Sequence, residues 1–243
     1  MGVFAGVAIV TTVTLGAAAF AGTSFVAVHK NGEGHWKQRI TSAGGTVSFV
    51  TGPATAPIGS GSVRLMTGSG HGDDAVELRN DSYQDKTLSK LTGLSYWTYM
   101  HTNNGQQFPY LILNIDRDGN GTIDDLLFFE PPYQSPGTGG SCATQARTQM
   151  DTWQGWNARG GCWYGIDANT FDPTFAAPGI GTQSLDAYIT QNPMARIRNA
   201  SAGGGLRVLV GFASPTDNFD GNVDSFRVAF GTDAKTYDFD PAG

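Results

Sequence analysis

The chain has 243 residues, 15 Lys and Arg against 21 Asp and Glu, a formal charge of −6, and charged residues at only 15%. So few cations give no basic face to displace counterions from phosphates, which argues against nucleic acid and equally against an anionic membrane surface. Helix formers are scarce beside 34 Gly and 11 Pro, and the acids are Asp apart from Glu33, Glu77 and Glu130, which puts them in turns and predicts an all-β sandwich or barrel.

In chain order, the first feature is an uncharged run from Val3 to Val28, most apolar over Val3–Leu15. Ala19-Phe20-Ala21 closes it with the small-x-small pattern of a signal peptidase site. Residues 1–21 therefore read as a secretory signal, and residues 22–243 as one β-sandwich domain of about 220 residues, secreted or held at the cell surface. No Lys or Arg precedes the run, which departs from an ordinary signal. Two rivals share these residues. The run is long enough, at about 1.5 Å per residue, to be retained as a membrane anchor, the one route to a membrane here. Val7–Leu15 is also β-prone enough to be donated as a strand to a neighbouring subunit.

Strand candidates follow at short intervals with turn residues between them. They are Ser24–Val28, Thr46–Val50, Ser62–Met66, Ala75–Arg79, Gly93–Tyr99, Tyr110–Asp116, Asp125–Glu130, Leu206–Phe212, Ser225–Phe230 and Thr236–Phe239. Phe226, Val228 and Phe230 take one face and Arg227 the other; Leu206, Val208, Val210 and Phe212 share a face in the same way. Leu126-Leu127-Phe128-Phe129 is apolar on both faces and predicts a central strand covered on both sides. Trp36 and Trp97 lie in strand-like contexts and are expected in the core. One short helix is predicted over Ser184–Gln191, with Ser184 as N-cap and Pro193 just past the end.

Residues 131–180 differ, with Pro131-Pro132, both cysteines, three of the five tryptophans and little strand signal. They predict a long ordered excursion over one end of the sandwich, tied down by a Cys142–Cys162 disulfide. A crosslink closing a loop of that length restricts the unfolded chain by roughly 3 kcal/mol on the chain-entropy account.

Three constellations could carry chemistry. In Asp116-Arg117-Asp118-Gly119-Asn120-Gly121-Thr122-Ile123-Asp124-Asp125, oxygen side chains alternate and Gly stands sixth, as a compact calcium loop requires. Asp116, Asp118, Asn120 and Asp124 are the candidate Ca2+ ligands. The twelfth position is Leu127 rather than Glu and the flanks are strands, so this is no EF-hand; the competing reading is a hairpin turning at Asn120-Gly121. A second acidic motif, Asp217-Asn218-Phe219-Asp220-Gly221-Asn222-Val223-Asp224, offers Asp220 and Asp224 as metal ligands or as an ordinary Asx turn. Third, Trp153, Trp156, Trp163, Tyr164 and Tyr133 form an aromatic cluster, with Asn157 and Asp151 nearby, suited to stacking on sugar rings or to packing a satellite core under the loop.

The sequence lacks the familiar catalytic patterns. No Glu-x-Asp-x-x-Glu strand or Gly-x-Ser-x-Gly elbow occurs, and His29, His35, His71 and His101 have no metal-ligand spacing. His71 beside Asp73 and Asp74 reads as a surface polar turn. The expectation is a protein that is not an enzyme.

Thr51–Ser62, Tyr110–Asp116, Phe128-Phe129-Glu130-Pro131, Thr152-Trp153-Gln154-Gly155-Trp156 and Phe219–Asp224 together resemble a group of uncharacterised bacterial secreted domains. Those are similar to jelly rolls of the concanavalin, laminin-G or carbohydrate-binding-module type. The resemblance spans roughly residues 24–240 and implies the fold and an extracellular setting, but no reaction. The resulting expectation is an extracellular jelly-roll sandwich with a disulfide-tied loop and one short helix, binding glycan. Its rivals are a filament, surface-layer or matrix subunit that joins like subunits into a homopolymer, and a polysaccharide hydrolase or lyase with an atypical site.

Overall fold

Phe226, Val228 and Phe230 turn inward from one strand, and Leu206, Val208 and Val210 turn inward from another. The two strands belong to different sheets, and their apolar faces meet. In this computed structural model the described residues are 22–68, 75–102, 107–212 and 219–242. The signal, anchor and donor-strand readings of residues 1–21 lie outside them, as do His71, Asp73, Asp74 and Asp217.

The strands are β1 (Thr23–Val28), β2 (Trp36–Ile40), β3 (Thr46–Thr51), β4 (Gly61–Met66), β5 (Ala75–Asn80), β6 (Leu91–Thr102), β7 (Tyr110–Asp116) and β8 (Asp125–Phe129). They continue with β9 (Trp153–Asn157), β10 (Cys162–Asp167), β11 (Pro173–Phe175) and β12 (Gln183–Ser184). The helix α1 (Leu185–Gln191) follows, then β13 (Arg196–Ile197), β14 (Leu206–Gly211), β15 (Asp220–Phe230) and β16 (Asp233–Phe239). The larger sheet runs β11-β10-β8-β7-β14-β5-β2, with β12 beside β10 and β13 beside β7. In the smaller sheet β9 pairs β6 and β6 pairs β15. The far side of β15 is shared: Asp220–Val223 pair β4, which pairs β3, and Phe226–Phe230 pair β16, which holds β1 in parallel. The register shifts between Asp224 and Arg227, where Ser225 adopts φ 48°, so a bulge lets one strand change neighbours.

The chain crosses between sheets repeatedly, among other places from β4 to β5, from β6 to β7 and from β14 to β15. Strand β15 lies between β4 and β6 just as β14 lies between β5 and β7, which is the winding of a jelly roll. Trp36 of β2 is fully buried and meets Phe226, Tyr237 and Phe239 edge-on at 5.0, 5.4 and 5.4 Å, locking the two sheets together.

Each of the ten predicted strands is present, some longer than expected, and α1 begins where predicted, with Ser184 Oγ accepting the Ala187 N–H at 3.2 Å. The Cys142–Cys162 disulfide ties the loop to the start of β10, with Cα atoms 5.5 Å apart. Four expectations are corrected. Residues 131–180 are not one excursion, because β9 joins the smaller sheet and β10 and β11 the larger, leaving 131–152 as the loop. Trp97 is a surface residue, and Phe212 is exposed beyond the end of β14. Strand β8 is interior to its sheet, but Leu126 and Phe128 face outward and are half-buried. Among the described residues no helix is long and apolar enough to cross a membrane.

Candidate functional site

Strand β6 carries rings on both faces. Tyr96, Thr98 and Met100 are buried between the sheets, so Trp97, Tyr99 and His101 stand on the outer face of the smaller sheet. Register extends that face sideways: Tyr99 is opposite Trp153 on β9 and Asn222 on β15, and Asn222 is opposite Arg64 on β4. Trp97 is opposite Gly155, where an added Cβ would lie 3.0–3.3 Å from the indole atoms. The bare glycine lets the indole lie down on β9, and 39% of Trp97 remains exposed to solvent. Trp153 meets Tyr99 at 5.6 Å and 65°, and its indole N–H donates to the Pro53 carbonyl at 2.8 Å, which fixes both rings.

A cleft of about 330 Å³ opens beside these rings, lined by Val50, Thr51, Pro53, Arg64, Tyr99, His101, Asp220 and Asn222. Arg64 grips Asp220 with two nitrogens, Nε at 2.7 Å and Nη2 at 2.5 Å, and this partner holds the guanidinium above its ordinary pKa. At the outer rim His101 Nδ1 and Asp151 Oδ1 are 2.6 Å apart and exposed. Asn222 donates to Ser62 Oγ at 2.9 Å. Flat rings beside carboxylate, amide, imidazole and guanidinium groups suit a ligand with one apolar face and a rim of hydroxyls.

Of the five aromatic residues expected to form one cluster, Trp153 alone reaches this face. Trp156 and Trp163 are buried core residues, a correction to their ligand-binding assignment: Trp156 points inward from β9 and donates to Thr98 Oγ1 at 2.7 Å, and Trp163 donates to the Ala158 carbonyl at 2.8 Å. Tyr164 stands on the outer face of the larger sheet, stacked on Phe128 at 4.9 Å and 6°, and Tyr133 meets it edge-on at 6.4 Å. Both tyrosines are half-buried. The Tyr164 hydroxyl bonds the Glu130 carboxylate, whose pKa burial pushes above the usual carboxylate range. Asn157 accepts the Gly160 N–H at 3.0 Å, and Asp151 belongs to the cleft rim through His101.

The Asp116 motif is a hairpin between β7 and β8, with Gly119 at φ 82° and Gly121 at φ 93°. Asp116 accepts the Gly119 and Gly121 N–H groups at 2.7 and 2.9 Å, Asp118 accepts the Asn120 N–H at 3.0 Å, Asn120 accepts the Thr122 N–H at 2.8 Å, and Asp124 accepts the Arg117 N–H at 2.8 Å. One carboxylate oxygen from each of Asp116, Asp118 and Asp124 lies within 4.8 Å of the others, close enough to share one cation. The hairpin and cation readings are thus compatible in one geometry. The second acidic motif is corrected: Asp220–Asp224 form the first half of β15, not a loop. Asp220 is taken by Arg64, and Asp224 is fully buried, accepting the Phe239 N–H at 3.1 Å and the Ile58 N–H at 3.3 Å.

The residues missed by sequence reasoning are Trp97, Tyr99, His101 and Arg64. One signal was available. In Tyr96-Trp97-Thr98-Tyr99-Met100-His101 rings alternate onto both faces, and a sandwich strand buries only one of them. No family model matches the chain, and no curated protein matches it.

Proposed function

We propose that the protein is a non-catalytic, extracellular carbohydrate-binding β-sandwich whose binding face is the outer surface of the smaller sheet. The observation that carries this reading is the Trp97 indole, packed over Gly155 and 39% exposed, beside Tyr99, Trp153 and the polar cleft. A pyranose ring offers axial C–H groups to such a surface and hydroxyls to Arg64, Asp220, His101 and Asp151. The disulfide supports an oxidising, extracellular setting.

The test is binding of the purified protein to a panel of neutral polysaccharides by affinity electrophoresis and calorimetry. The expected result is retardation by at least one polymer, weakened about tenfold or more, equivalent to roughly 1.4 kcal/mol, in Trp97→Ala and in Tyr99→Ala. A folded wild type that binds no polymer, or binding that survives both substitutions, contradicts it. Within the same reading, calcium at Asp116, Asp118, Asn120 and Asp124 has a structural role, supported by the three converging carboxylates.

An assembly reading draws on a different observation. Strand β1 closes the smaller sheet through parallel pairing with β16, its outer edge has no strand partner among the described residues, and Phe25 on it is 72% exposed. A protein that stays monomeric at all concentrations in sedimentation would remove that reading; reversible growth blocked by Phe25→Asp would favour it.

A further inference from the structure

The outer face of the larger sheet holds a cluster that the cleft does not use. Glu77 of β5 is completely enclosed, and both its oxygens are occupied by arginines. Oε1 accepts Arg39 Nη1 at 2.7 Å and Arg79 Nη2 at 3.1 Å, and Oε2 accepts Arg79 Nε at 2.8 Å and Arg207 Nε at 2.9 Å. Register explains the convergence: Glu77 is opposite Arg39 on β2 and Leu209 on β14, while Arg79 is directly opposite Arg207.

Three guanidinium groups on one carboxylate leave two positive charges unmatched. Two of the three cations are withdrawn from water, the side chains of Arg79 and Arg207 being only 8% and 9% exposed. Buried charge of one sign is costly unless it is matched. The remaining donors are poorly served, with Arg207 Nη1 3.4 Å from Asn114 Oδ1 and Arg79 Nη1 3.5 Å from the Gly203 carbonyl. Among the described residues Glu77 is the one carboxylate that bonds either arginine. Burial and the adjacent Arg79 both act to lower the Arg207 pKa, against the pull of Glu77, as expected for a cation short of anions.

We infer that Arg79 and Arg207, with Arg39 at the rim, form a second binding site that takes a carboxylate of an acidic, uronate-bearing polysaccharide. Guanidinium groups present forked donors that match the two oxygens of a carboxylate. Arg39, with 39% of its side chain exposed, is where solvent and a ligand carboxylate reach the cluster. The net charge of −6 repels polyanions elsewhere on the surface, so recognition of one must be local to this cluster. The polymer class rests on the carbohydrate-binding reading; the anion site does not.

The test follows the arginine Nε–Hε resonances of the 15N-labelled full chain during titration with oligogalacturonate, with a neutral galacto-oligosaccharide and with sodium sulfate. Oligogalacturonate is expected to shift the Arg79 and Arg207 resonances, and the neutral sugar to leave them in place. Arg207→Gln is expected to weaken the affinity read from the oligogalacturonate-induced shift of the Arg79 resonance about tenfold. If Arg207→Gln does not fold, the wild-type resonances decide alone. The inference is overturned if neither arginine responds, if sulfate shifts them and oligogalacturonate does not, or if a folded Arg207→Gln binds oligogalacturonate as tightly as the wild type. Failure of the neutral panel alone would remove the cleft and leave this site standing.

Discussion

Asp224 carries an unusual load for a carboxylate. It is fully buried beneath the segment holding Ile58, accepts backbone N–H groups from Phe239 and Ile58, and has Asp238 as a like-charged neighbour. Burial outweighs the hydrogen bonds and pushes its pKa up to about 7. Above the unfolded carboxylate range the unfolded chain has released this proton and the folded chain has not, so stability falls as pH rises from about 4 to about 7, by up to roughly 1.4 kcal/mol per pH unit. Urea midpoints measured from pH 4 to 8 should decline across that window, and the decline should flatten in Asp224→Asn even if that variant is less stable overall. An unchanged slope in the variant would place the titration elsewhere. Asp224 also marks the limit of reading residues from sequence. Its acid-rich surroundings suggest a loop, yet Val223, Phe226 and Val228 on either side are core residues, and the strand that contains them fixes where Asp224 lies.

Among the elements, the hairpin between β7 and β8 and the helix α1 were legible because each is set by local chemistry. Asn120-Gly121 dictates a turn, and Ser184 supplies a cap. Strands β9 and β10 were not legible, because Gly155 and Gly165 interrupt them and their pairing is dictated by β6 and β8, distant in sequence. Two predictions belong here. Replacing Cys142 by Ala frees the loop 131–152 from β10 and should cost about 3 kcal/mol in chemical denaturation, with new proteolytic cleavage confined to that loop. Equal stability of variant and wild type would mean that the loop is held by its other contacts, such as Gln134 with Cys162. For the Asp116 hairpin, calcium at about a hundredfold over its dissociation constant should add roughly 2.7 kcal/mol. EDTA should therefore lower the melting temperature, calcium should restore it, and Asp118→Ala should abolish the response. A melting curve indifferent to both additions would remove the metal.

At the scale of the whole molecule, the jelly roll was readable because short strand-like runs, several with period-two alternation, recur along ten separate segments, and because scarce helix formers leave few other architectures. The binding face was not readable, because it is assembled across the sheet from Arg64, Tyr99, Trp153 and Asn222, on four strands that register alone brings into line. The same assembly separates the Trp97 face on the smaller sheet from the Arg79–Arg207 cluster on the larger. The central claim, that the Trp97 face binds carbohydrate, is tested most directly by a crystal structure of the protein with an oligosaccharide from the best-binding neutral polymer. A sugar ring is expected to stack on the exposed part of Trp97, with hydroxyls directed toward the cleft lined by Arg64, Asp220 and His101. A sugar seated on any other surface, with Trp97 and Tyr99 bare, would contradict it.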